Sequence, residues 1–393
     1  MTQKIIIQFL VLVTAVVSLS VLSSRLWGGK PEEVSKADQL AIAEDMTVGE
    51  FGNLNGLARP ILRDLFGLQS PTDLQKPVTA FGMSIDEIRL KVLGDQALGT
   101  ERKSKNWTKI FIKFGLWIAF LATVGVLMIR EKITVKNRKW LLLGAVAIFG
   151  VALGADPSPM GTVKDGIVLL GTVRRVFPPR LIALTVFLLM VIIANKFICA
   201  WGCQIGTLQD LIFRLNRDKD DRRGLLRQYK VPFAISNGIR VAFFIALTVV
   251  ALAWATDIVE EIDPFKLFKP QVLGLFGATF IGAILVASLF IYRPWCHFFC
   301  PFGLVGWIAE KLSILRICVD QDKCIACGAC EKACPSTVMG AILKGKRLAP
   351  DCFACGTCIE TCPVGAVSFG YRKQKNTTQQ PDESGRTDPS AAK

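Results

Sequence analysis

Histidine is nearly absent: the 393 residues hold one, His297. A haem b held between two histidines of this chain is therefore excluded, and any electrons would need another carrier or a partner. Cysteine is missing from residues 1–198, and all thirteen cysteines lie beyond them, after the fourth apolar span. No nucleic-acid motif accompanies the net charge of +15. Since the basic residues flank apolar stretches, that charge reads as a membrane feature. No apolar span carries paired acids, which weighs against a transporter. What is present is apolar side chain: 51% of residues are hydrophobic and 20% charged. That balance predicts a membrane protein with soluble parts.

The cysteines are concentrated in CIACGACEKACP at 324–335 and CFACGTCIETCP at 352–363. Each is C-x-x-C-x-x-C-x-x-x-C-P, the spacing that holds two [4Fe–4S] cubanes in bacterial ferredoxins. The first three cysteines of a run grip one cluster and the fourth reaches the other. On that rule Cys324, Cys327, Cys330 and Cys362 hold one cubane, and Cys352, Cys355, Cys358 and Cys334 the other. Gly328 and Gly356 fall where backbone passes close to inorganic sulfide, and Pro335 and Pro363 fix the turn after the fourth cysteine. Zinc sites use four ligands each, commonly with histidine, and do not share a fourth ligand between repeated runs. Such a segment carries single electrons. Its thiolates call for a reducing compartment, so the cysteine-bearing side is expected to be cytoplasmic.

Six apolar spans are expected: Ile5–Leu22, Phe114–Ile129, Trp140–Ala155, Leu181–Asn195, Val241–Thr256 and Val272–Tyr292. The first lacks a small-x-small cleavage site and reads as an uncleaved anchor, although a signal peptide remains an alternative. Several are shorter than the ~20 residues a bilayer requires, and Lys113, Lys196 and Arg240 at their ends are expected to snorkel to the interface. Residues 130–139 carry five basic residues against one acid, and 204–230 carry seven basic residues, whereas 257–272 carry four acids against two lysines. These biases place both termini inside and residues 28–107 outside. That segment, with capping boxes at Thr47–Glu50 and Ser84–Glu87, reads as a small helical periplasmic domain serving docking or mere spacing. The polar tail after Tyr371 reads as disordered.

The other informative pattern is a repeat. KFICAWGCQIGTLQDLIFRL from Lys196 aligns without gaps with RPWCHFFCPFGLVGWIAEKL from Arg293, at an offset of 97 residues. Each copy is expected to leave a span on the cytoplasmic side through C-x-x-x-C and continue as an amphipathic surface helix. The halves would be related by an axis along the membrane normal. Cysteines at i and i+4 share a helix face, so Cys199, Cys203, Cys296 and Cys300 together could make a further iron–sulfur or metal centre. Redox or interaction roles without metal, or four unpaired thiols, are the alternatives. His297 beside Cys296 could take protons from a quinol or serve only as an interfacial amphipath. Arg240 could contact a quinone oxygen, and Trp201, Trp295 and Trp307 are expected to be interfacial anchors. Cys318 reads as a spare buried thiol.

Spans, paired C-x-x-x-C segments and a C-terminal ferredoxin pair together resemble the NapH-type polyferredoxin family, which includes the C-terminal half of NosR regulators. The resemblance covers roughly residues 108–371. It departs at Cys203–Gln204, where the family has Cys-Pro, and in the soluble insert at 28–107. No flavin-attachment threonine motif is visible. The resemblance implies electron exchange among the quinone pool, cytoplasmic clusters and protein redox partners on one or both sides of the inner membrane. The alternative is a redox maturation or regulatory factor for a periplasmic or membrane metalloenzyme.

The expected architecture is an α-helical membrane protein of about six transmembrane helices with an internal two-fold repeat, ending in an α+β bacterial-type 2[4Fe–4S] ferredoxin domain. Its expected parts are an anchor at 1–27, a helical domain at 28–107, a membrane domain at 108–317, the ferredoxin at 318–371 and a tail at 372–393.

Overall fold

The computed structural model describes residues 2–27, 40–43, 45–57, 59–346 and 350–371. The expected disordered tail, and the start of the soluble segment at 28–39, lie outside the described residues. Helices dominate. Three are long and apolar enough to cross a membrane: α1 (Thr2–Trp27, apolar from Gln3), α5 (Trp107–Ile129) and α10 (Phe233–Trp254). Between α1 and α5 lie α2 (Val48–Leu54), α3 (Arg59–Phe66) and α4 (Ile85–Ser104). After α5 come α6 (Val135–Ala145), α7 (Pro159–Val173), α8 (Pro178–Ala194) and α9 (Gln204–Leu215). Beyond α10 are α11 (Leu275–Ala287), α12 (Pro294–Phe298) and α13 (Pro301–Ala309). Helices α8 and α11 are shorter apolar helices, and a π-helix, Val146–Ala152, extends α6.

Residues before α5 have their own core, in which Val48, Phe51, Ile88 and Val92 are fully buried. Its α2 opens on a complete capping box. Thr47 Oγ1 accepts from Glu50 N–H while the Glu50 carboxylate accepts from Thr47 N–H. At Ser84 only half of the box forms, Ser84 Oγ accepting from Glu87 N–H.

Polar contacts sort the connections to two opposite ends of the bundle. At one end Lys164 of α7 pairs with Asp257 at 2.8 Å, Arg180 pairs with Asp165, and Lys269 reaches Asp156. The connection at 156–180, between the third and fourth expected spans, contains α7, capped at Ser158 and packed on α10. At the other end Arg138 joins Asp221 and Glu360, while Lys230 and Arg217 bond carbonyls of the C-terminal segment.

The two cysteine copies do not exit to surface helices. After α8 the chain turns at Asn195, passes through a π-helix at Ile198–Gly202 and folds back between the helices. Trp117, midway along α5, donates its indole N–H to Gly202 O at 3.0 Å. Helix α9 then runs alongside α6, with Gln204 on the Gly154 and Ala155 carbonyls and Arg214 near Arg138 through Asp221. Every residue from Gln204 to Arg214 is buried. The second copy folds back in the same way: Phe299 packs on Phe243 and Phe280 within α10 and α11, and Phe302 on Phe187 within α8. Non-helical backbone at this depth is tolerated because protein surrounds it. The amphipathic pattern is real, but the polar face of α9 meets buried ion pairs rather than water.

The C-terminal segment begins with β1 (Leu315–Val319), which pairs antiparallel with β2 (Val367–Tyr371) in the register Leu315↔Tyr371 to Val319↔Val367. Between the strands lie α14 (Ala329–Ala333), α15 (Val338–Leu343) and α16 (Thr357–Thr361). Ile314 N–H bonds Ile192 O at 2.8 Å, tying this unit to the end of α8.

Close packing of α7 on α10 makes one glycine indispensable. A Cβ at Gly171 would stand 1.9 Å from Ala251 O, against backbone that cannot rotate away. Gly171→Ala is expected to cost on the order of 1–3 kcal/mol, as overpacked cores do. Thermal unfolding in detergent should show a lowered midpoint, and an unchanged midpoint would contradict this packing.

Candidate iron–sulfur sites

Each cysteine run folds into the same loop, displaced by 28 residues. Ala326 and Ala354 have positive φ of 52° and 47°, and Gly328 and Gly356 of 68° and 79°. Both glycines precede a five-residue helix, α14 or α16, that ends at the fourth cysteine of the run. Left-handed backbone is the requirement for glycine here. Around Gly328 there is open space, whereas a Cβ at Gly356 would lie 2.9 Å from Met128 Sδ.

Two cavities result. Cys324, Cys327, Cys330 and Cys362 line one; Cys334, Cys352, Cys355 and Cys358 line the other. These are the sets into which the spacing rule divides the eight residues. Among the described residues no three Cys, His, Asp or Glu side chains converge tightly enough for a single metal ion. Thiols that ring a cavity, rather than meet at a point, fit a multi-iron cluster and not a tetrahedral zinc.

The two cavities differ in setting. Cys327 is exposed and Cys324 half-buried, so the first faces solvent. The second is pressed against the helix bundle, with Trp201 donating to Ala354 O at 3.2 Å and Arg214 reaching Thr357 Oγ1. Burial pushes the Cys334, Cys352 and Cys358 thiols up. Burial acts on Cys355 too, but Arg214 and Arg138 beside it, with a hydrogen bond to Thr357, hold it below its ordinary value. Cations thus gather where thiolates would gather negative charge.

Asp351, one residue before Cys352, anchors this contact. It is buried and pairs with Lys196 Nζ at 2.5 Å and Arg240 Nη1 at 2.8 Å; both cations also bond Gly303 O. Burial would raise its carboxyl, but Lys196 and Arg240 bring it below the usual carboxylate value. Lys196 and Arg240 are therefore buried ion-pair partners and do not snorkel. Lys113 does not snorkel either, bonding Gly154 O at 2.8 Å from a buried position. Asp210 plays the matching part on α9, accepting from Arg293, Arg214 and Tyr292.

The repeat buries all four of its cysteines. Cys203 and Cys300 cap α9 and α13 with matching backbone, φ/ψ of −73°/121° and −68°/116°. Cross-bracing is reciprocal: Arg293 bonds Cys199 O and Ala200 O, while Lys196 bonds Gly303 O. Where the second copy has Pro301, Gln204 spends its side-chain N–H on Gly154 O and Ala155 O.

His297 is packed between Tyr292 and Phe353, its Nδ1 3.1 Å from Arg293 O. Trp201 and Trp295 are 1% exposed, so neither is an interfacial anchor; Trp307 packs against Phe233. Cys318 is half-buried on β1, its thiol toward Tyr371 O. Sequence reasoning missed Asp351, Asp210 and Phe353, whose ring lies 4.8 Å from the Arg293 guanidinium and 5.3 Å from His297. The available signal was position: Asp351 and Phe353 flank Cys352, and Asp210 precedes Arg214 by one helical turn.

Comparison with known proteins agrees with this chemistry. A 4Fe-4S binding domain model matches residues 315–336, and another of the same description matches 176–223 and 273–316, covering both C-x-x-x-C segments. The Escherichia coli putative electron transport protein YccM is 28% identical over 43% of this chain and 49% of its own length. The ferredoxin-type protein NapH of Haemophilus influenzae is 25% identical over 53% of this chain and 67% of its own. The Pseudomonas aeruginosa regulatory protein NosR is 28% identical over 35% of this chain and 19% of its own. The chain thus spans about half the length of the E. coli relative. No solved structure matches.

Removing the Asp351 charge leaves Lys196 and Arg240 buried without a counterion. Asp351→Asn is expected to cost about 3–5 kcal/mol. Limited proteolysis should then cut preferentially near the C-terminal segment. Cleavage as slow as in the parent protein would contradict the anchoring role.

Proposed function

With NapH/NosR-type membrane ferredoxins as its relatives, we propose that this chain is a membrane-bound iron–sulfur electron-transfer protein that exchanges electrons with the quinone pool. The observation that carries this is the pair of four-cysteine cavities, one open to solvent and one seated on the helix bundle. Two [4Fe–4S] clusters bound there would supply one-electron transfer, and the protein supplies ligation, insulation and compensating charge. The same reading assigns six membrane spans, a cytoplasmic ferredoxin segment, residues 28–107 on the opposite side, and the inner membrane as location. The loop-charge biases and the sorting of connections to two ends support that orientation.

Cys199, Cys203, Cys296 and Cys300 are proposed to hold a third, multi-iron centre. Support comes from their shared burial, the bonds that cross between the two copies, their matching caps and the domain model spanning both segments. Phe353, Tyr292 and His297 form an aromatic layer between this group and the second cavity. Bound clusters would supply one-electron transfer along this order of residues: Cys199, Cys203, Cys296 and Cys300 in the bundle, then the set with Cys352, then the set with Cys324, whose exposed Cys327 loop would meet a soluble partner. Asp351, the residue before Cys352, would fix the spacing between the first two groups, because it pairs with Lys196, three residues before Cys199.

Potentiometric EPR with serine variants tests this scheme. Cys324→Ser and Cys362→Ser are each expected to remove one and the same cubane signal, and Cys352→Ser and Cys334→Ser the other. A Cys199→Ser, Cys296→Ser double variant is expected to lose a third signal and quinol-analogue oxidation while keeping both cubanes. No turnover of a quinone analogue by the intact protein, with or without a soluble partner, would favour a role in maturing a metalloenzyme. Iron content limited to two cubanes would exclude the third centre.

A further inference from the structure

The two cysteine copies differ in the polarity of the helix that follows. At the offset of 97, Gln204, Thr207, Gln209 and Asp210 of α9 correspond to Pro301, Leu304, Gly306 and Trp307 of α13. One wall of the four-cysteine group is hydrogen-bonding and the other is apolar. Gln209 is fully buried, and its amide is the polar side chain that meets a sulfur: Cys296 Sγ lies 3.7 Å from Gln209 Oε1. Among the described residues its Nε2 has no partner. A buried amide N–H left unpaired costs on the order of 1–3 kcal/mol, so its retention calls for an acceptor.

A ligated cysteine supplies that acceptor. As a free thiol Cys296 donates its hydrogen to Oε1; as a metal ligand it has no hydrogen to give, and an amide oxygen would face a negative sulfur. Half a turn of the terminal amide exchanges Oε1 and Nε2, which occupy nearly identical space. From this juxtaposition we propose that Gln209 donates its amide N–H to the Cys296 sulfur of the four-cysteine centre and sets that centre's potential above that of an unbonded one. The inference rests on the third-centre reading. The partner position in the other copy, Gly306, has no side chain, and the stem of Lys196 fills the space, 3.3 Å from where a Cβ would stand. The bond is therefore one-sided. An N–H on sulfur withdraws charge from the metal and favours the reduced form, and in a dry site that effect is undiluted by water. The same asymmetry directs the added electron toward the Cys296 side, which is also the side of His297 and Phe353.

The test uses the full-length protein in detergent, with Gln209→Leu and, as a second apolar variant of similar length, Gln209→Met. Unchanged signals from the two cubanes serve as the control for folding. The expected result is a third EPR signal of parental intensity whose reduction is at least tenfold less favourable, a shift of about −59 mV for one electron. In deuterium oxide the parent should show an exchangeable deuteron coupled to this signal, absent in both variants. A third signal with unaltered potential and deuteron coupling would overturn the role of Gln209 while leaving the third centre standing. Absence of the third signal from the parent protein would overturn both.

Discussion

A single buried carboxylate holds the soluble and membrane parts in register. Asp351 sits where the loop carrying Cys352 enters the bundle, and it receives one cation from each of two helical neighbourhoods, Lys196 after α8 and Arg240 within α10. Such a pair in a protein interior is worth little as net stability but is severe as a constraint, because either partner alone is strongly unfavourable. The structure repeats the device at Asp210, with Arg293 and Arg214, and at Asp221, with Arg138, Arg214 and Arg217. Three acids thus organise cations that the sequence places in charged loops, as Arg138, Arg214 and Arg217, or at span ends, as Lys196 and Arg240.

The burial of those cations shows what a linear sequence discloses and what it conceals. The spacing divides the eight cysteines into the sets that line the two cavities because three members of each set are close neighbours in one run and the fourth follows by rule from the other. The repeat was legible because its two copies align without gaps. What followed each copy was not. The periodicity of α9 is amphipathic whether its polar side meets water or Asp221, and the difference depends on residues far away in sequence. Likewise Lys113, Lys196 and Arg240 stand at the ends of apolar runs, the usual place for a snorkelling chain, until the fold-back of residues 195–203 moves the interior to them. Trp201 and Trp295 were misread for the same reason, since an aromatic near the end of a span is interfacial only if the chain leaves the membrane there.

The fold-back also accounts for the oddities of local backbone. Asn195 at φ 61° and Arg293 at φ 49° both take positive φ just before a C-x-x-x-C, one residue out of step in the repeat. A non-glycine residue there costs roughly 1–3 kcal/mol and persists only where surroundings compel it. Here the compelling contacts are visible: Lys196, next to Asn195, holds Gly303 O, and Arg293 itself holds Cys199 O and Ala200 O. Each turn is kept by a bond to the other copy, so neither arm of the repeat is self-sufficient.

The exchange of fourth cysteines between the two loops bears on how the molecule comes into being. Cys334 leaves the first loop to line the cavity of the second, and Cys362 returns to complete the first. During synthesis one set of four is whole only when residue 358 has emerged and the other only at residue 362, by which time every helix of the bundle has already been made. Clusters held by these sets would therefore be completed only after the bundle has been made. The Lys196 and Arg240 charges wait for Asp351 over the same interval. Completion of the two cysteine sets and seating of the C-terminal segment on the bundle thus fall in the same late interval.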